Sequence, residues 1–329
     1  MFNYQGRLFT FGCSMVSYYW PTWADILGKQ FYKHENWGLS GAGNHYIFNS
    51  IVEANKRNQF NKDDTIIVMW SGISREDRYI NGEWLATADI YSNSRYSTNY
   101  LKQFVDDRGF LIRDLAFISA AADLLELSGV NYQFLSAAPI NIITHTTPIN
   151  EPDVIELYQD TVNKIKPSMY ELLWNFDRES RRNSGVTVNA AGTKEQVNNL
   201  ITDMIKNSYE IMKGQDWPLY ENYINQNYQV SEEIIKELME FKKLTDTFCT
   251  QIEWYNNLIK HSLIKKGTHR DYHPTPSEHL EYLTQVFPQL IIEPGIIDWV
   301  KECNNTLLTD AVRVMIEWQP NPNKPKIRL

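Results

Sequence analysis

Short apolar runs alternate with helical patterns along the first 140 residues. Leu8–Phe11, Gln30–Asn36, Thr65–Trp70 and Tyr132–Ala137 have the length and setting of strands. Between them, Pro21–Leu27 is stopped by Gly28, and Asn44–Asn55 carries Ile47, Phe48, Ile51 and Ala54 at helical spacing. A third helix, Leu111–Leu127, places Leu111, Leu115, Ile118, Ala122 and Leu125 on one face and is stopped by Gly129. Strand, helix, strand in repetition predicts an α/β fold built on a parallel sheet with helices on both faces. Ligands in such folds bind at the carboxyl ends of the strands. Ser14, the glycine cluster after Asn36 and the segment after Trp70 all fall at those ends.

The pattern changes near Asn141. Residues 151–265 are polar, rich in Asn, Lys, Glu and Tyr, and mostly helical in period; in Val230–Phe241, Ser231 is placed to cap a helix whose stripe is Ile234, Leu238 and Phe241. The expected organisation is a core of residues 1–140 and 265–290, a helical insertion or cap over 141–264, and a C-terminal helical segment with an extended tail over 291–329. The tail carries Pro320, Pro322 and Pro325, and Arg178–Gly185 reads as an exposed loop.

Composition narrows the function. The 329 residues are 43% hydrophobic and 22% charged, an ordinary globular profile, with a formal net charge of -8. Lys and Arg are scattered, so no basic stripe is available to neutralise phosphates, and nucleic acid is not an expected partner. Cys13, Cys249 and Cys303 show neither zinc-ligand spacing nor a disulfide framework. Met1–Arg7 lacks a secretory pattern and no apolar run approaches the ~20 residues of a membrane span, so cytoplasmic synthesis without a signal peptide and no membrane partner are expected.

The candidate chemistry lies at the two ends of the chain. Gly12-Cys13-Ser14 ends the first apolar run, and Asp271-Tyr272-His273-Pro274 precedes Thr275-Pro276-Ser277-Glu278, a capping box with proline at the first helical position. His273 is thereby placed at a helix N-terminus, where the dipole disfavours positive charge. A serine hydroxyl becomes a strong nucleophile when a base takes its proton and an acid orients the base. Ser14, His273 and Asp271 fill those three roles. The glycine at 41 allows a backbone N–H to approach a substrate oxygen, and with the Ser14 N–H it makes a two-donor oxyanion hole.

These blocks resemble those of the SGNH hydrolases of the GDSL esterase and lipase superfamily. Gly12-Cys13-Ser14 resembles the first block, with Cys13 where the family usually has Asp. Asn36-Trp37-Gly38-Leu39-Ser40-Gly41 matches the second, and Asp271-Tyr272-His273-Pro274 the fourth. The third block should place an Asn after a strand, and Trp70-Ser71-Gly72-Ile73-Ser74-Arg75 has none. The resemblance covers roughly residues 7–140 and 265–290. The phrasing around Ser14, Arg75 and His273 is also similar to hydrolase-like proteins of marine bacteriophages.

The resemblance implies a flavodoxin-like three-layer α/β/α parallel sheet with a large helical insertion. It further implies esterase activity through an acyl-Ser14 intermediate, independent of metal and of any cofactor, on a small acyl ester or an O-acetylated glycan. Ser71, Ser74 or Arg75 would replace the absent third donor, with Arg75 also able to contact an acidic substrate or to pair with Glu76 or Asp77. Trp70 is a candidate pocket wall or a core residue. The rival reading is a glycan-binding or virion-associated structural protein that keeps the fold with weakened catalysis. Local alternatives also stand at this stage: Gly38, Gly41 and Gly43 as a phosphate cradle, Cys13 as the nucleophile, Asp271 as a turn residue, and His279 as a packing histidine.

Overall fold

A computed structural model describes residues 2–80, 82–91, 96–140, 142–144, 147–175, 186–189 and 268–309. The Val230–Phe241 helix, the Arg178–Gly185 loop and the proline-bearing tail expected from the sequence lie outside the described residues.

The core is a four-stranded, all-parallel sheet in the order β2-β1-β3-β6. Its strands are β1 (Arg7–Phe11), β2 (Lys33–Asn36), β3 (Thr65–Trp70) and β6 (Asn131–Ser136). The register pairs Phe11 with Val68 and Trp70 with Ser136. Burial explains the order. Every residue of β3 is buried and β1 is buried after Arg7, as befits central strands covered on both faces. The edge strands β2 (KHEN) and β6 (NYQFLS) start polar and exposed, which discourages pairing with another chain. The strand expected over Gln30–Asn36 is shorter because Gln30 and Phe31 turn back onto the preceding helix, donating to the Leu27 and Gly28 carbonyls.

The helices follow the apolar periodicity. α1 (Trp23–Gly28) and α2 (Asn44–Asn58) flank β2, α3 (Thr98–Phe104) is a short exposed helix, and α4 (Asp107–Ser128) ends at Gly129 with φ 67°. Asp106 caps α4 by accepting from the Gly109 N–H at 2.7 Å. Three short helices, α5 (Pro152–Leu157), α6 (Gln159–Val162) and α7 (Met169–Trp174), follow β6 and the small β7 (Ile142–Thr144)–β8 (Thr147–Pro148) pair. α8 (Pro276–Val286) and α9 (Pro294–Thr309) close the described chain. α2 packs on α4, whereas α8 packs on α1, α7 and α9.

The compact units divide at Gly185/Val186 and Asp271/Tyr272. Val154, Met169, Tyr170 and Trp174 are buried in the same core as the sheet, so the segment just after Asn141 belongs to the first unit. In the second unit, β9 (Val186–Asn189) pairs antiparallel with β10 (Thr268–Asp271). Among the described residues no helix is long and apolar enough to cross a membrane, and no group of three or more His, Cys, Asp and Glu is placed to hold a metal ion.

A hairpin that the apolar pattern does not mark, β4 (Arg75–Ile80) and β5 (Glu83–Asp89), follows β3. Its fully buried positions are Asp77 and Thr87, both polar, so hydrophobic alternation gives no sign of it.

Candidate active site

The sheet order reverses direction between β1 and β3, since β2 lies beyond one and β6 beyond the other. The crevice at such a reversal is the usual ligand site of open parallel sheets. The residues that follow β1, β2 and β3 there are the three blocks singled out from sequence.

Ser14 sits in a tight turn after β1, in which the Val16 and Ser17 N–H groups donate to the Cys13 carbonyl at 2.9 and 3.1 Å. Gly12 makes this turn possible. A Cβ there would lie 2.8 Å from the Met69 carbonyl oxygen of the neighbouring strand, a backbone atom that cannot step aside. The Cys13 side chain is 0% exposed and part of the core, whereas the Ser14 hydroxyl is the side-chain group of the turn that meets His273.

The glycine block is fastened to that turn. Trp37 and Leu39 donate their N–H groups to the Thr10 and Gly12 carbonyls at 2.8 and 3.0 Å. The Asn36 side chain donates to the Val16 carbonyl at 2.8 Å and accepts from the Gly38 N–H at 2.9 Å. Gly41 has φ 81°, a conformation glycine adopts at no cost. Neither the Ser14 nor the Gly41 N–H has a hydrogen-bond partner among the described residues.

The hairpin holds this block from the other side. The Ala88 N–H donates to the Gly41 carbonyl at 3.1 Å, and the Arg75 guanidinium donates to the Ala42 carbonyl at 3.0 Å. Asp77 accepts from the Gly43 N–H at 2.8 Å and from the Tyr46 N–H at 2.9 Å. It thus caps α2, whose N-cap residue, Gly43, has no side chain of its own to do so. Burial raises the Asp77 carboxyl above its ordinary range, opposed by those two amides. A carboxylate of the chain itself occupies the helix terminus that a phosphate-cradle reading of Gly38, Gly41 and Gly43 would leave for an anion.

His273 enters from the far end of the chain. Its Nε2 lies 3.0 Å from the Ser14 hydroxyl oxygen, within hydrogen-bonding distance. The predicted capping box forms: Thr275 accepts from the Glu278 N–H at 3.3 Å, and the Glu278 carboxylate accepts from the Thr275 N–H at 2.7 Å. This anchors the backbone two residues after His273. The ring stacks on Tyr18 with centroids 3.8 Å apart and an interplanar angle of 21°, and Trp20 donates its indole N–H to the Pro274 carbonyl at 2.7 Å. Sequence reasoning misses the roles of Tyr18 and Trp20; their one signal is an aromatic run, Tyr18-Tyr19-Trp20, so soon after Ser14.

Asp271 is buried and ends β10 opposite Val186, in the second unit. His279 is 0% exposed, and neither ring nitrogen has a partner among the described residues. Burial, with His273 nearby, lowers it to about 3, so it is a neutral packing histidine. Trp70 is fully enclosed, edge-on to Phe134 at 5.4 Å, which makes it core and corrects its reading as a pocket wall.

The loop after β3 is held by groups from two helices. Asn44 at the start of α2 accepts from the Ser71 N–H at 2.8 Å and donates to the Ser71 carbonyl at 3.0 Å and to Asp114 at 2.7 Å. Arg113 pairs with Asp114 and Glu76 and donates to the Ile73 and Arg75 carbonyls. The Arg75 guanidinium, which bonds Ala42, ties the hairpin to the glycine block; Glu76 pairs with Arg78 and Arg113 instead. Ser74 is buried and its carbonyl accepts from the Ile90 N–H at 2.9 Å, whereas the Ser71 hydroxyl is buried with no partner among the described residues. No protein-family model matches the chain, and no curated protein matches it either.

Proposed function

We propose that the chain is a serine esterase that hydrolyses small acyl esters, acetyl groups on a carbohydrate being the substrate class that its resemblance to SGNH hydrolases implies. The observation that carries this reading is the 3.0 Å contact between Ser14 and His273 at the carboxyl edge of a parallel sheet. The strand order β2-β1-β3-β6 supports a flavodoxin-like three-layer arrangement, because right-handed crossovers from β1 to β2 and from β2 to β3 run in opposite directions and put α1 and α2 on opposite faces.

His273 Nε2 takes the Ser14 proton as the hydroxyl oxygen attacks the acyl carbonyl. The tetrahedral oxyanion is met by the Ser14 and Gly41 N–H groups. His273 then returns the proton to the departing sugar oxygen, leaving an acyl-Ser14 ester. Water attacks that ester with His273 again as base; the bond from the acyl carbon to the Ser14 oxygen then breaks, His273 returns the proton to that oxygen, and the carboxylic acid departs. Asp271 is assigned the orienting role on its position two residues before the base. The test is mass spectrometry after treatment with a fluorophosphonate probe. A label on Ser14 is the expected result, and an intact, unlabelled protein would favour the binding or virion-structural reading instead.

A further inference from the structure

We infer that Tyr18, backed by Trp20, is a positioning residue that holds the plane of the His273 imidazole in line with Ser14; the role rests on the esterase reading. The backbone around His273 is anchored on its C-terminal side by the Thr275–Glu278 capping box and by the Trp20 indole on the Pro274 carbonyl. Those contacts act on the backbone, and the plane of the ring is a separate degree of freedom. The χ2 torsion of histidine is broad and roughly two-fold, so an anchored backbone still permits the imidazole to swing. A 3.0 Å contact through Nε2 needs the ring plane fixed as well as the Cα position.

Tyr18 restrains that plane across the ring face. Its ring lies nearly flat on the imidazole at 3.8 Å, and it is 7% exposed, so it has little room to move. Trp20, 0% exposed, meets the Tyr18 ring edge to face at 4.7 Å and 84°. The chain thereby makes a closed circuit. Ser14 leads through its turn to Tyr18, Tyr18 stacks on His273, and Trp20 bonds the carbonyl after His273 and props Tyr18. Nucleophile and base are coupled through one aromatic segment that begins four residues after the nucleophile.

The experiment compares full-length wild type, Tyr18→Phe, Tyr18→Leu and Trp20→Phe by rate of fluorophosphonate labelling and by kcat and KM on an aryl acetate. The His273 ring C–H resonances are recorded in parallel and assigned with His273→Gln. Tyr18→Leu is expected to label on the order of 100-fold more slowly, through kcat rather than KM, because the base loses alignment and substrate contacts do not. Tyr18→Phe should stay within about threefold, since the ring face and not the hydroxyl does the holding. The His273 resonances should be shifted upfield by the Tyr18 ring current in wild type and Tyr18→Phe and return downfield in Tyr18→Leu. Labelling of Tyr18→Leu at the wild-type rate, or equal damage in Tyr18→Phe, overturns the inference while leaving the esterase reading intact. An unlabelled wild type overturns the esterase reading, and the ring-current shift then decides the stack alone: present, it stands; absent, it falls. Should Tyr18→Leu fail to fold, the resonances of wild type and Tyr18→Phe decide the stack in the same way.

Discussion

His273 Nε2 and the Ser14 hydroxyl oxygen lie 3.0 Å apart although 259 positions separate them in the chain. If the two act as one unit, their removal is not additive. Ser14→Ala is expected to lower turnover of an aryl acetate by at least ~10⁴-fold, His273→Ala by a similar factor, and the double variant no further. Chelators should leave the wild-type rate unchanged. A double variant slower than either single one by the product of their effects would mean that the residues act independently and that the mechanism is wrong.

The third oxyanion donor is open to a direct kinetic comparison. Ser71 carries the buried hydroxyl with no partner among the described residues, while the Arg75 guanidinium bonds the Ala42 carbonyl. Ser71 is 0% exposed, as enclosed as Trp70, so Ser71→Ala is expected to leave kcat close to wild type. Arg75→Ala should act on stability, by about 1 kcal/mol. Steady-state kinetics of Ser71→Ala, Ser74→Ala and Arg75→Ala decide between them; wild-type kcat in all three would leave the hole with two backbone donors.

Asp77 caps α2 from the hairpin, and its loss leaves two buried amides unpaired. Asp77→Ala should destabilise the fold by ~2–6 kcal/mol, at about 1–3 kcal/mol for each unmet donor. Asp77→Asn keeps one acceptor and should cost roughly half as much. Denaturant unfolding at neutral pH reads both; variants within ~0.5 kcal/mol of wild type would show that the cap carries no stability.

Acid stability depends on two histidines, the half-buried His34 and the fully buried His279. Burial lowers His34 to about 4 and His279 to about 3, so each stays neutral in the folded state while binding a proton when unfolded below pH ~6.5. Their contribution is present above that pH and is lost as pH falls through the window. Asp114, raised to about 6 chiefly by burial, acts in the opposite sense, since its contribution is present at low pH and lost as pH rises through 6. His279→Leu removes one proton from the balance. Its unfolding free energy should fall less steeply than that of wild type between pH 6.5 and 4, by up to about 1.4 kcal/mol per pH unit. Parallel pH dependences would show that His279 does not enter the balance.

The alternation of apolar runs along Leu8–Phe11, Thr65–Trp70 and Leu111–Leu127 is enough to predict the parallel sheet and its helices. Those elements bury one face, or both, at a regular period that survives in the linear chain. The same holds for the start of α8, because a capping box closes over four consecutive residues. Ser14, the glycine block and His273 are legible for a related reason, as each occupies the end of an element whose boundary is locally encoded.

What only the tertiary structure decided depends on partners far apart in sequence. The β4–β5 hairpin hides its polar Asp77 and Thr87 and exposes Tyr79 and Ile80, reversing the pattern that would reveal it. Whether Trp70 lines a pocket or the core, whether Arg75 serves substrate or backbone, and whether Tyr18 touches His273 are questions of which group spends its hydrogen bonds or ring face on which other. Local periodicity carries no record of those choices. A hydrogen bond or a stacked pair is a short-range contact between groups that folding brings together, and nothing in the spacing of either partner along the chain specifies the other.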